Sequence, residues 1–321
     1  DNRDGILTAA GGVATRTEYP DLPVLEAHRG RARGYVKVQD GCDNRCTYCI
    51  VPLVRGPSRS RAIEKVVEEA AGLERSGHAE AVLTGIHIGK YGRDLAEDLS
   101  LSSLVAAVLD ATKKIRLRLS SVEVGELDGA LVDHVAGNPR VCRHLHIPLQ
   151  HGSDPVLRRM DRGYSSAEFS ESVESASGRV PGLGLGTDVI AGFPGESEQD
   201  FRATYDLLDA LPFSYLHVFP YSPRPGTPAA EMQGRPPKAE VTRRVRELRA
   251  LSARKNLAFR ENLAGQRLEV IREVTDSSGT HQCRSDNYVL LSFRGECPPG
   301  RFELLATEVD EDGLRAVLPG D

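Results

Sequence analysis

The chain has no run of about eighteen apolar residues, roughly the minimum that carries a helix across a membrane. Its start has no positively charged stretch leading into an apolar segment, so no secretory signal is legible. Basic residues are not in excess: 41 lysines and arginines face 46 aspartates and glutamates, for a net charge of -5. A nucleic-acid partner would therefore need a local basic patch rather than overall attraction. The six cysteines are not spread as the pairs of a disulfide framework, which staples small, loop-rich secreted chains. These absences point to a cytoplasmic globular protein without membrane contact, expected to be a monomer. At 321 residues there is length for one large α/β domain and a smaller second one.

What is present is concentrated in one place. Cys42, Cys46 and Cys49 fall within a single turn-like stretch, with Tyr48 directly before the third cysteine. Three thiolates are one fewer than a closed zinc or iron–sulfur site requires, and a centre with three protein ligands keeps a coordination position open for chemistry. A structural zinc clip whose fourth ligand lies elsewhere is the competing interpretation. Cys142, Cys283 and Cys297 stand alone in the sequence and are expected to be buried or incidental thiols.

Residues 1–31 carry turn and linker signals with few apolar residues between them, and are expected to be a linker or the remnant of an upstream domain. From there strand and helix patterns alternate. Strands are expected over 34–39, 80–84, 115–120, 144–150, 183–190 and 213–219, with helices between them. Ser197 and Asp200 have the spacing of a capping box that opens one of those helices. Such alternation is the signature of parallel βαβ units. Loops with glycine and polar residues recur after the strands, where parallel barrels keep their active sites. The fold class is therefore α/β, a partial parallel (β/α) barrel over 32–232. Residues 233–262 read as an arginine-rich helical linker, for which a solvated surface helix and a nucleic-acid contact weigh evenly. Residues 263–321 change to short strands with glycine-containing turns, a small all-β barrel of OB-like shape.

Several motifs occur in one order along the chain: Val38-Gln-Asp-Gly-Cys-Asp-Asn-Arg-Cys-Thr-Tyr-Cys49, Arg55-Gly-Pro-Ser-Arg-Ser-Arg61, His146-Ile-Pro-Leu-Gln-His-Gly-Ser153, the stretch 187–196, and His217-Val-Phe-Pro-Tyr-Ser-Pro-Arg-Pro-Gly-Thr-Pro228. With them the chain resembles the methylthiotransferases of the radical S-adenosylmethionine (SAM) superfamily from about residue 33 to its end. The C-terminal β module resembles the TRAM domain of that family. The resemblance implies a barrel of the radical SAM type and one [4Fe-4S] cluster on Cys42, Cys46 and Cys49. It also implies SAM, cleaved on reduction to methionine and a 5′-deoxyadenosyl radical, and an electron donor for the cluster. Tyr48, Gly85, His87, Ser121, Glu123, Gln150, Asp188 and Gly192 are expected around SAM. Arg55, Arg59, Arg61, Tyr221 and Arg224 are expected to face a tRNA substrate.

Within the family, the loop Thr84-Gly-Ile-His-Ile-Gly-Lys-Tyr-Gly92 is similar to that of the threonylcarbamoyladenosine tRNA enzymes. The expected reaction places a methylthio group on adenine C2 of that nucleoside, next to the anticodon. A methylthiotransferase acting on a ribosomal protein or on isopentenyladenosine tRNA is the alternative. A nucleic-acid-binding protein with a structural three-cysteine metal site is the alternative of another class. Two departures from the family stand out. Members carry an N-terminal domain whose three further cysteines hold a second cluster, and Cys142, Cys283 and Cys297 do not replace it. The chain is thus expected to be a fragment or a remnant, with a second [4Fe-4S] cluster only if such a domain lies upstream. The TRAM-like module is also acidic, Asp310-Glu-Asp312 included, which shifts the expected tRNA contact to the arginine-rich helix and to Arg55, Arg59 and Arg61.

Overall fold

The computed structural model describes residues 32–95, 99–311 and 313–320. The N-terminal stretch expected to be a linker and Asp312 lie outside the described residues. The described chain opens with β1 (Arg33–Lys37) and the short β2 (Gln39–Asp40), and after α1 (Val51–Arg55) it returns as β3 (Arg59–Ser60), antiparallel to β2. Then come α2 (Ile63–Arg75), β4 (Glu80–Thr84), α3 (Leu101–Ala111), β5 (Arg116–Leu119), α4 (Gly129–Gly137) and β6 (His144–His146). A second series follows: α5 (Asp154–Arg159), α6 (Ser166–Arg179), β7 (Gly184–Ala191), α7 (Glu198–Ala210) and β8 (Tyr215–Pro220).

The six principal strands lie parallel in two three-stranded sheets, β1-β4-β5 and β6-β7-β8. An isolated parallel bridge from Leu117 to Val141 and a bond from the Val122 N–H to the His146 carbonyl (3.0 Å) stitch the two sheets together. The result is an open, partial barrel whose last strand, β8, has a sheet neighbour on one side only. The sequence explains the elements. Helix α2 turns Val66 and Ala70 inward, and β4 is buried along nearly its whole length, as expected of a parallel strand covered on both faces. Ser197 and Asp200 do form the capping box at the start of α7, and Ser100 with Ser103 forms another at α3. The helices and strands share one apolar core that includes Leu83, Leu104, Leu117, Phe169 and Phe201.

After α8 (Pro228–Glu231), the long helix α9 (Lys238–Glu261) lies along β8, with Val245, Leu248 and Leu251 buried in the core of the partial barrel. The last strands are β9 (Arg267–Thr275), β10 (His281–Ser285), β11 (Leu290–Phe293), β12 (Arg301–Val309) and β13 (Leu314–Val317). They close into a five-stranded barrel in the order β10-β11-β13-β12-β9 around Val270, Leu291, Leu304 and Leu314, consistent with a TRAM-like barrel. Closure needs β13, a strand the sequence pattern did not announce. Cys142 and Cys283 are buried, and burial pushes both thiols up to about 12. Among the described residues no helix is long and apolar enough to cross a membrane.

The small barrel is bolted to the base of the large one by buried charge. Glu80, fully buried on β4, meets Arg33 (2.8 Å), Arg116 (2.7 Å) and Arg118 (2.9 Å). Arg116 and Arg118 reach on to the carbonyls of Arg284 and Ser285 (both 2.9 Å) and Asp286 (3.0 Å). Gly184 sits beneath the same segment, where an added Cβ would come within 2.0 Å of the Asn287 carbonyl oxygen.

Candidate active site

The three-cysteine loop leaves the C-terminal end of β2 and is held from beneath by Gln39. This side chain is fully buried and points its amide at the loop, donating to the Asp40 and Gly41 carbonyls (2.9 and 2.7 Å) and to Ser58 Oγ (2.8 Å). Its carbonyl oxygen accepts the N–H groups of Ile86 and His87 (3.1 and 2.8 Å), so one residue ties the cysteine loop to the loop after β4. Gly41 turns the chain at φ 73°, and a Cβ there would fall 1.9 Å from the Pro57 carbonyl oxygen. Only glycine satisfies both conditions. The N–H of Cys42 then donates to the Gly56 carbonyl (3.1 Å) and that of Cys49 to the Cys46 carbonyl (3.0 Å).

All three thiols are free, and they line one pocket of about 230 Å³ together with Tyr48, His87, Ser121, Glu123, Gln150 and Asp188. The loops after β2, β4, β5 and β6, together with strand β7 itself, thus contribute to a single cavity. Gly85 and Gly192 are not among the lining residues. Gly85 backs onto the Gln39 carbonyl, and Gly192 lies under Val241 of α9.

Two cations flank the sulfurs. His87 Nδ1 is 3.4 Å from Cys42 Sγ, and its Nε2 contacts Glu126 at 2.8 Å. Burial opposes charge on His87, but its bonds to Cys42 and Glu126 outweigh that and carry its pKa up to about 9. Arg162 donates to Cys46 Sγ (3.3 Å) and to the Tyr48 hydroxyl (3.4 Å), is paired with Glu123, and lies against Tyr164. Burial pushes the Cys49 thiol up, with the neighbouring sulfurs adding to the shift.

On the far wall, Ser121 Oγ meets His146 Nδ1 at 2.8 Å, and Asp188 Oδ1 lies 3.2 Å from both His146 Nε2 and His217 Nδ1. Burial raises the Asp188 pKa, but these two imidazoles overcome it and hold the carboxyl well below the usual range. Gln150 completes the wall at φ 67°, an unusual value for a side-chain-bearing residue. Its N–H donates to the Asp188 carbonyl and its own carbonyl accepts from Ile190, both at 2.8 Å, which pin it in place.

The residues expected to face tRNA are dispersed. Arg61 is tied to Glu69 and to the Lys37 carbonyl (2.5 and 2.7 Å). Arg59 donates to the Arg55 carbonyl (3.3 Å), while Arg55 is half-exposed near Asp40. Tyr221 packs edge-on against Phe193 in a separate groove beside α9, and the Arg224 carbonyl accepts the Thr227 N–H in the turn before α8. Four groups that hold the site together escaped sequence reasoning: Gln39, Glu126, Arg162 and Tyr164. Gln39 lies inside the first motif. Arg162 and Tyr164 meet two residues apart, but the groups that place Arg162 and Glu126 at the site, Cys46, Glu123 and His87, are dozens of residues away in sequence.

A three-thiol donor set with N–H donors on two of the sulfurs suits an iron–sulfur cluster, since N–H bonds to sulfur tune such clusters. The match to known proteins agrees. Residues 36–208 match the Radical SAM superfamily. The chain is 38% identical over 316 residues to the threonylcarbamoyladenosine tRNA methylthiotransferase MtaB of Thermotoga maritima, covering 97% of this chain and 72% of that protein. It is 38% identical to the MtaB of Bacillus subtilis, covering 90% and 65%. It is 35% identical to the tRNA-2-methylthio-N(6)-dimethylallyladenosine synthase of Desulfitobacterium hafniense, covering 93% and 67%. The chain therefore spans about two thirds of the length of these relatives. Among solved structures, the radical SAM methyltransferase TsrM of Kitasatospora setae, with cobalamin and a [4Fe-4S] cluster bound, shares the fold with a TM-score of 0.50 at 18% identity, over 78% of this chain and 39% of that one. Motif, geometry and relatives converge: the chain belongs to the radical SAM superfamily and, within it, to the methylthiotransferases.

Proposed function

We propose that this chain is the part of a tRNA methylthiotransferase that generates the radical and holds the substrate, acting on threonylcarbamoyladenosine next to the anticodon. The superfamily uses a [4Fe-4S] cluster and SAM, and these supply, when bound, a one-electron cleavage of the sulfonium that yields methionine and a 5′-deoxyadenosyl radical. Cys42, Cys46 and Cys49 hold the cluster, and the N–H groups of Arg162 and His87 orient and stabilise the thiolates. Glu123 and Glu126 in turn fix those two cations. Tyr48, Ser121, Gln150 and Asp188 line the space beside the cysteines and are positioned to bind SAM, with Asp188 kept as a carboxylate able to accept from an amino or hydroxyl group.

The observation that carries this assignment is the convergence of three free thiols with strand-end loops from across the partial barrel. The threonylcarbamoyl substrate is supported by the loop from Thr84 to Gly92 and by the relatives named MtaB. The dimethylallyladenosine synthases among the relatives keep that nucleoside as the second candidate.

Anaerobic reconstitution with iron and sulfide tests the centre. Brown absorbance and deoxyadenosine formation from SAM on reduction are expected, and both should be lost in Cys46→Ala while the fold persists. A colourless, zinc-bearing protein would overturn the assignment. For the nucleoside, tRNA carrying only threonylcarbamoyladenosine or only isopentenyladenosine should stimulate deoxyadenosine formation in the first case and not in the second. With a single three-cysteine group, the 321-residue chain by itself should stop at deoxyadenosine. Mass spectrometry of the incubated tRNA checks this, and a methylthio product would contradict it.

A further inference from the structure

The basic residues of α9 divide into two populations. Arg243 and Arg244 are locked to Glu198, Glu240 and Glu247 or Glu196, Arg254 is bound to Asp209, and Arg260 donates to the carbonyls of Asp310 and Gly313. These guanidiniums hold the fold. Elsewhere on the same helix, Lys238, Arg246 and Arg249 have no acidic partner among the described residues. They line two grooves, of about 610 and 660 Å³, that meet at Arg249 and follow the edge strand β8. No aspartate or glutamate lines either groove. In a chain of net charge -5, such an unneutralised row is a local exception.

Between the cations lie apolar and aromatic surfaces. Val241, Val245 and Pro220 wall the first groove, with Arg235 over the ring of Tyr221, whose buried hydroxyl has no hydrogen-bond partner among the described residues. Phe219, 49% exposed, stands in the second. A positive groove with exposed aromatic faces is the combination that tracks a backbone of phosphates while stacking unpaired bases. In a duplex the bases are paired and stacked, so their faces are not available to an aromatic side chain. The groove also adjoins the cysteine pocket: His217 lines the groove, Asp188 lines the pocket, and the two side chains meet at 3.2 Å.

We propose that the groove between β8 and α9 binds single-stranded RNA, with phosphates on Lys238, Arg246 and Arg249 and a base stacked on Phe219. This rests on the tRNA assignment above and specifies it: the strand is the anticodon loop flanking the reacting nucleoside, held on the arginine helix rather than on the acidic C-terminal barrel.

The test measures binding of the full chain to tRNA and to a single-stranded RNA dodecamer by fluorescence anisotropy over a range of salt. Arg246→Ala/Arg249→Ala removes two phosphate contacts, so the slope of log affinity against log salt should fall by about 1.4 for the dodecamer. Phe219→Ala should weaken binding about ten-fold. A control, Arg202→Ala/Arg254→Ala, removes two ion-paired arginines outside the groove and should leave the slope unchanged. Circular dichroism verifies that each variant is folded. RNA bound by the wild type with an unaltered slope in the groove variant would overturn the proposal and spare the tRNA assignment. An equal fall in the control, or competition by duplex RNA as effective as by the single strand, would also overturn it. If the wild type bound no RNA, the tRNA assignment itself would fail.

Discussion

Gln39 shows how much can rest on one residue. Its single amide satisfies groups on two loops that are 45 or more residues apart, between the turn at Gly41 and the backbone at His87. Replacing it with alanine would leave the buried His87 N–H without its acceptor, at about 1–3 kcal/mol, and the part-buried Ile86 N–H as well. We expect Gln39→Ala to lower the melting temperature and the iron bound per chain, read by colorimetric iron analysis, while the cysteines remain in place. Arg162 is different in kind. It touches Cys46 Sγ and is held by Glu123, so its loss acts on the sulfur environment. Arg162→Ala should leave the half-buried Glu123 without its partner, whereas Arg162→Lys keeps the charge without the fork. Deoxyadenosine formation is expected to fall in both variants, and more steeply in the alanine one. The cysteines were legible because they are close in sequence. Gln39 and Arg162 were not, because what defines them is a partner dozens of residues away.

At the level of elements, the fourth principal strand shows where patterning stops. The sequence predicts a strand over 144–150, and the structure keeps ladder pairing only over His144–His146, with a bridge resuming at Gln150. Pro148 has no N–H to give a ladder, and Gln150 adopts φ 67°. The strand therefore breaks where its side chains must turn into the pocket. A left-handed conformation costs about 1–2 kcal/mol for a side-chain-bearing residue and more for a β-branched one. Gln150→Gly is expected to keep or raise stability while weakening SAM binding, whereas Gln150→Val should destabilise. Chemical denaturation separates the two, and equal losses would count against the strain argument. Helix α9 gives the same lesson. Its apolar stripe and its arginines are plain in the sequence, but only the neighbouring carboxylates on α7 and in the helix itself decide which arginines are already occupied.

At the scale of the whole molecule, Glu80 joins the two barrels through Arg33, Arg116 and Arg118. Burial raises its pKa, but Arg118 and Arg116 outweigh burial and hold it well below the usual carboxylate range. A folded-state pKa below the unfolded one stabilises the fold above the unfolded value, about 4.3 for glutamate, and that contribution fades as pH falls through the folded one. Melting temperature should therefore drop below about pH 4.3, and Glu80→Gln should flatten that acid limb. At neutral pH the same substitution leaves three guanidiniums around a neutral amide, at a cost of about 3–5 kcal/mol. An unchanged acid limb in Glu80→Gln would show that another carboxylate governs it.

The sequence by itself determined the alternation of strands and helices, the capping box at Ser197 and the three cysteines, because each is written within one turn, one strand or one helix face. Tertiary structure decided what lies between those elements. It paired Glu80 with three arginines, closed the small barrel through β13, and brought the loops after β4, β5 and β6 and strand β7 itself around Cys42, Cys46 and Cys49. Such contacts depend on which chain segments meet after the core has formed, and no local periodicity encodes that.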